Sequence, residues 1–214
     1  MHAVDLLIFD LDGTLVDTRM DLANAVNYAR DALDLPSLAP DEVVSYVGDG
    51  LRTLVERSLP NERRDEVDQG IEHFQRYYRS HLLDNSRLYP GVREILAHFS
   101  GKKMTIVSNK PEEFTRSILI GLNVDRYFQM ILGGDSLPVK KPAPEPILQT
   151  LARLESSSDK TVVVGDSTTD ILAGKGAATY TCVVTYGFKN PDLLLAAEPD
   201  FVVDSILELR NIFV

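Results

Sequence analysis

Apolar residues are distributed along the chain in two alternating rhythms. Short, nearly continuous apolar or β-branched runs occupy Val4–Phe9, Met104–Val107, Phe128–Leu132, Thr161–Val164, Thr181–Thr185 and Phe201–Val203. Strands buried on both faces carry that pattern, because neither side of the pleat meets water. Between these runs the apolar positions recur at helical spacing. Val92, Ile95, Leu96 and Phe99 form one such face, and Ile147, Leu148, Leu151 and Leu154 another. A third comprises Phe114, Ile118 and Leu119, closed by Gly121. Strand and helix in alternation predict an α/β fold of the doubly wound, Rossmann-like type, with a parallel sheet at its core.

One stretch breaks the alternation. From Val16 to Leu88 the pattern predicts helices and no strand. Thr18 is placed to cap a helix whose apolar face is Leu22, Val26, Ala29 and Leu33, with Asp21 at the acidic position of a capping box. Leu51, Leu54, Val55 and Leu59 make a short stripe, and Val67, Ile71, Phe74, Tyr78 and Leu82 a longer one. Tyr89-Pro90-Gly91 then punctuates the return to alternation. The expected organisation is an α/β core from residues 1–15 and 89–214, with residues 16–88 as an inserted helical domain.

Composition narrows the function classes. The 214 residues carry a formal net charge of -10 and no Lys/Arg-rich run, which argues against nucleic acid or an anionic membrane surface as partner. No apolar run approaches the ~20 residues of a membrane span. The N-terminus has no basic segment followed by a long apolar stretch, so cytoplasm is the expected location. A single cysteine, Cys182, in the apolar run Tyr180–Thr185 excludes an intrachain disulfide and reads as a buried thiol. His2, His73, His81 and His98 show no metal-ligand spacing. Gly48 and Gly50 follow no strand, so no dinucleotide cofactor is implied.

Four polar clusters sit where strands end. Asp10-Leu11-Asp12-Gly13-Thr14 closes the first run. Ser108-Asn109-Lys110 follows Met104–Val107. Lys140-Lys141-Pro142 comes a short loop after Phe128–Leu132, and Gly165-Asp166-Ser167-Thr168-Thr169-Asp170 follows Thr161–Val164. Each has an ordinary explanation taken alone. Asp10 and Asp12 fit a polar turn at Gly13, Asp166 or Ser167 fits a helix cap, and a lone lysine fits a solvated loop. Their common position changes the weighing. Open parallel sheets bind ligands outside the carboxyl ends of their strands, and all four clusters are expected at that edge. Paired carboxylates there suit a hard cation with oxygen ligands.

In these four motifs, in their order and spacing, the chain resembles the haloacid dehalogenase superfamily, in the phosphatase branch whose helical cap is inserted after the first strand. Within that branch it is most similar to bacterial phosphatases of 2-phosphoglycolate. Val47-Gly48-Asp49-Gly50, Tyr89-Pro90-Gly91-Val92, Ser108-Asn109-Lys110-Pro111, Lys140-Lys141-Pro142-Ala143-Pro144 and Thr185-Tyr186-Gly187 carry the likeness. The segment Ala173-Gly174-Lys175-Gly176-Ala177-Ala178 departs from it, being richer in glycine than the family's alanine-rich helix.

The resemblance implies the following roles. Asp10 is the nucleophile, forming an aspartyl-phosphate, and Asp12 the general acid and then base. Thr14 hydrogen-bonds near the nucleophile. Ser108 and Lys141 bind the phosphate, with Asn109 beside them; Lys141 is preferred to Lys140 because it directly precedes Pro142. Asp10, the Asp12 backbone carbonyl and Asp166 hold Mg²⁺, and Asp170 orients a water or Lys141. In the cap, Arg52 is the candidate for substrate contact, with a solvated helix-start arginine at least as good a reading; on the core side, Lys110 is a second candidate. The implied partner is a small phosphorylated metabolite, acted on by a monomer or homodimer. Pyrophosphate hydrolysis, phosphotransfer of the β-phosphoglucomutase type and a non-catalytic binding role are the competing readings.

Overall fold

The computed structural model describes residues 1–214, which divide into two compact units: residues 1–17 with 88–214, and residues 18–87. The larger unit is built on a six-stranded sheet in the order Met130–Leu132, Lys103–Val107, Leu6–Phe9, Thr161–Gly165, Tyr180–Val184, Phe201–Val203, with all pairs parallel. This is the doubly wound architecture that the apolar runs predict. Leu6 to Phe9 are wholly buried, as a central strand covered on both faces requires.

Register then places the chemistry. Phe9 lies opposite Ile106 on one side and Val164 on the other. Asp10 therefore leaves the sheet one residue beyond this level, and Ser108 and Asp166 two residues beyond it on the flanking strands. The Asp10 N–H still donates to Val164 O at 2.9 Å, so Asp10 is tied to the sheet by its own backbone. Helices Val92–His98, Glu112–Gly121, Glu145–Arg153 and Thr168–Gly176 supply the covering faces. Leu6, Ile8, Val107, Leu132, Ile147, Leu151, Val163 and Ala173 form one continuous apolar cluster between sheet and helices.

The smaller unit is helical: Arg19–Asp31, Pro40–Ser45, Leu51–Ser58 and Val67–His81, with a short 3-10 segment at Asn61–Glu66. Its core uses the predicted stripes, with Leu22, Val26, Ala29, Leu33, Leu54, Val55, Val67, Phe74 and Tyr78 buried. Two local expectations fail. Two-residue strands occur at Val16–Asp17 and Arg87–Leu88, where the pattern predicts none; two residues are too short for any periodicity. Nor does the Thr18–Asp21 capping box form. Thr18 makes no side-chain cap hydrogen bond. The buried Asp21 carboxylate instead accepts from the Asn85 and Ser86 N–H groups and from Ser86 Oγ at 2.7 Å. A carboxylate that can collect several donors from a distant segment does better than one local cap bond.

No helix is long and apolar enough to cross a membrane. Cys182 is buried, as expected of a small apolar residue in a central strand.

Candidate active site

The first strand ends in a tight turn because the N–H groups of Thr14, Leu15 and Val16 all converge on Leu11 O, and Gly13 takes the left-handed φ of +82° that the bend needs. This turn presents Asp10 and Asp12 on opposite sides of one residue, and their side chains find different partners.

Asp10 faces a buried acidic cluster. Ligand atoms of Asp10, Asp166 and Asp170 all lie within 4.8 Å of one another. Lys141 enters this cluster with its side chain 2% exposed. Its Nζ is 2.6 Å from Asp170 Oδ1, 2.6 Å from Val107 O and 3.0 Å from Asp10 Oδ1. The last contact is coulombic rather than an aligned hydrogen bond, and Asp10 Oδ1 is buried without a donor. Burial disfavours the ammonium, but the Asp10 and Asp170 charges outweigh it and hold Lys141 protonated, its pKa above the usual lysine value. Asn109 Nδ2 donates to Lys141 O at 2.8 Å, which ties the lysine's backbone to the Ser108-Asn109-Lys110 loop.

Asp166 is held from the opposite side. Its Oδ2 accepts from the Phe188 N–H at 2.7 Å. Burial, then the charges of Asp10 and Asp170, push its carboxyl well above the ordinary range; the Phe188 N–H and Lys189 offset this in part. Asp170 is the third helical residue after the N-cap Ser167, and the two form a capping box. Asp170 therefore does two things at once: it caps its helix through Oδ2 and engages Lys141 through Oδ1.

Asp12 turns elsewhere. Both of its carboxylate oxygens meet Lys110 Nζ, at 3.0 and 2.9 Å, with the Lys110 side chain 4% exposed. The Asp12 carboxylate is thus engaged by Lys110 and is not among the clustered carboxylates of Asp10, Asp166 and Asp170. Ser108 is buried, with its Oγ 3.4 Å from the Lys110 N–H. Thr14 is buried too, but its hydroxyl makes no hydrogen bond, so the one expected of it near the nucleophile is not formed. Its carbonyl is used instead, accepting from Tyr186 Oη at 2.7 Å. Arg52 lies in the helical unit, 57% exposed, and pairs there with Asp68 and, at 3.6 Å, with Glu56. Of the adjacent lysines, Lys141 is the one whose ammonium is central to this network.

A set of buried oxygen ligands with one donor-less carboxylate atom and mutual repulsion fits a hard divalent cation. Sequence reasoning missed the Asp12–Lys110 pair and the Phe188 latch. The Thr185-Tyr186-Gly187 resemblance pointed at the second without saying what the loop does.

The model of the haloacid dehalogenase-like hydrolases matches residues 7–184. Among curated proteins, the phosphoglycolate phosphatase of Chromobacterium violaceum is 38% identical over 98% of this chain and 96% of its own length. That of Aquifex aeolicus is 37% identical over 92% and 94%. The crystal structure of a predicted phosphoglycolate phosphatase from Haemophilus somnus superposes with a TM-score of 0.92 at 32% identity, covering 99% of each chain. A hydrolase structure from Geobacter sulfurreducens, 18% identical with a TM-score of 0.77, shares the fold. With matched residues spanning sheet and motifs alike, the chain belongs to the haloacid dehalogenase-like hydrolases, as an enzyme of their phosphatase branch.

Proposed function

We propose that this enzyme hydrolyses 2-phosphoglycolate to glycolate and phosphate through an aspartyl-phosphate on Asp10, with Mg²⁺ as cofactor. The observation that carries the chemistry is the division of labour between two carboxylates one residue apart. Asp10 lies in the acidic cluster with Lys141, and Asp12 is set apart from it by Lys110. An Asp10 oxygen attacks phosphorus, the ester P–O bond breaks, and Asp12 passes a proton to the departing alkoxide. Asp12 then takes a proton from the water that attacks the acyl phosphate, releasing phosphate and restoring Asp10. Lys141, kept charged by its neighbours, neutralises the transferring oxygens.

Asp10, Asp166 and the Asp12 carbonyl are the proposed ligands of Mg²⁺, which supplies positive charge between an anionic nucleophile and an anionic substrate. Asp170 is assigned to positioning Lys141, since its oxygens are committed to that lysine and to the helix cap. Ser108 and Asn109 are assigned to the phosphate side. The helical unit is proposed as the cap, with Arg52 as its contact to the leaving group. The substrate rests on likeness: the relatives named above are phosphoglycolate phosphatases over nearly their whole length.

A phosphatase panel with Mg²⁺ tests the reading, with 2-phosphoglycolate, pyrophosphate, β-glucose 1-phosphate and an aryl phosphate. 2-Phosphoglycolate should be among the best substrates, Asp10→Asn should abolish turnover, and rapid quenching should trap an acid-stable, hydroxylamine-labile phosphoenzyme in the wild type only. Undiminished activity in excess EDTA, or turnover by Asp10→Asn, would remove the mechanism.

A further inference from the structure

Two ammonium groups are buried at the C-terminal edge of the sheet, and they differ in what holds them. Lys141 is shared among a backbone carbonyl, Asp170 and Asp10, so removing any one partner leaves it anchored. Lys110 directs its ammonium at the two oxygens of Asp12. Its backbone is fixed: the Gly134 N–H donates to Lys110 O at 2.9 Å, and a Cβ at Gly134 would lie 2.2 Å from Asn109 O. The backbone around Lys110 is thus tied to the loop at Gly134, and the ammonium meets Asp12 through its side chain. Burying an ammonium is costly unless an anion meets it. Here the visible anion is the carboxylate that the reaction assigns to the leaving group.

Geometry limits what else can reach this lysine. The leaving-group oxygen must come within hydrogen-bond reach of Asp12, and Lys110 Nζ is 2.9 Å from Asp12 Oδ2. That oxygen then lies within about 6 Å of Nζ, the sum of the two contacts. A carboxylate two bonds further along the leaving group spans the remaining gap. It is chemically equivalent to the Asp12 carboxylate, so it can take over the ammonium, while Asp12, freed of its ion pair, takes up the proton that the departing oxygen needs.

We infer that Lys110 is the core-side specificity residue: it binds an anionic group carried by the leaving group, and in doing so releases Asp12 to meet the bridging oxygen as the protonated carboxyl that general-acid transfer requires. The inference rests on the substrate reading above and deepens it. A leaving group without an anion leaves Asp12 paired with Lys110, so the enzyme favours phosphomonoesters with a carboxylate adjacent to the ester carbon. The site thereby couples recognition to positioning through one exchangeable ion pair.

The test is steady-state hydrolysis, with Mg²⁺, of two matched esters: 2-phosphoglycolate and 2-hydroxyethyl phosphate, which has the same length and no carboxylate. For Lys110→Met, kcat/KM should fall about 10–100-fold further on 2-phosphoglycolate than on the neutral ester, the size of a lost hydrogen bond to a charged group, with most of the difference in KM. Lys110→Arg should restore part of that discrimination. Equal losses on the two esters would overturn the inference while leaving the substrate reading intact, because Lys110 would then only prop Asp12. Wild-type enzyme that hydrolyses 2-hydroxyethyl phosphate but not 2-phosphoglycolate would overturn both. Should Lys110→Met fail to melt cooperatively, Lys110→Gln, which keeps a polar donor but not the charge, decides: a larger loss on 2-phosphoglycolate than on the neutral ester supports the inference, and equal losses overturn it.

Discussion

A methyl group at Gly187 would place its carbon 2.3 Å from Asp166 Cβ, and one at Gly13 would lie 2.1 Å from Asp166 Oδ2. Asp166 is thus clasped between two positions that must lack a side chain, while the Phe188 N–H fixes one oxygen. Gly187→Ala should displace the carboxylate, lowering Mg²⁺ affinity by at least about tenfold and stability by about 1–3 kcal/mol, as overpacking does. Calorimetric titration with Mg²⁺ and a thermal melt read the two effects separately; unchanged affinity would mean that Asp166 does not need this position. At the same scale, burial first, and then the charges of Glu208 and Asp200, push the Cys182 thiol up to about 12. Since only the thiolate attacks disulfide reagents, the native enzyme at pH 8 should not be labelled, and labelling should appear on unfolding or as pH approaches that value. Rapid labelling of the native protein would contradict the burial.

Two elements owe their ends to side chains with a second task. Helix Thr168–Gly176 begins at a capping box, and the same Asp170 that closes it holds Lys141. Ser167→Ala removes one half of the box and should cost about 1 kcal/mol, measured by denaturant unfolding. In the helical unit, Asp21 near the start of Arg19–Asp31 gathers the backbone of Asn85 and Ser86. It joins the unit's first helix to its last residues, where the sequence pattern suggested only a local cap. Asp21→Ala leaves buried donors unmet and should cost about 3 kcal/mol. Hydrogen exchange at the Asn85 and Ser86 amides should accelerate more than exchange in the six-stranded sheet; uniform acceleration would deny the latch.

Across the whole molecule, the active-site carboxylates trade stability for function. Asp10, Asp166 and Asp170 are buried together, and without a cation their repulsion opposes folding. Asp166 holds its proton more tightly folded than unfolded. Where the folded chain binds the extra proton, stability falls as pH rises, from about 4, the unfolded carboxylate value, up to the raised folded one. The metal-free enzyme should therefore melt at a lower temperature as pH climbs through that window. Asp166→Asn should flatten the dependence and raise the metal-free melting temperature. Mg²⁺ at a hundredfold over its dissociation constant should stabilise the wild type by about 2.7 kcal/mol and leave Asp166→Ala unaffected. A wild-type melt indifferent to Mg²⁺ would argue against the proposed ligands.

The sequence by itself determined the alternation of strand and helix, the helical character of the insertion and the four polar loops at the strand ends. These properties are local: a fully buried strand needs a continuous apolar run, and a loop at its end is attached to it covalently. Only the tertiary structure decided which charged group meets which. Lys110 and Asp12 are 98 residues apart, Asp21 and Ser86 are 65, and Phe188 reaches Asp166 across 22. Strand order sets the first of these pairs, because Leu6–Phe9 lies beside Lys103–Val107 in the sheet and so brings the loops after both strands together. Thr18 and Asp21 have the spacing of a local cap, yet the fold offers Asp21 more donors elsewhere. Periodicity reports how deeply a position is buried, whereas the partner of a buried charge depends on where the rest of the chain returns.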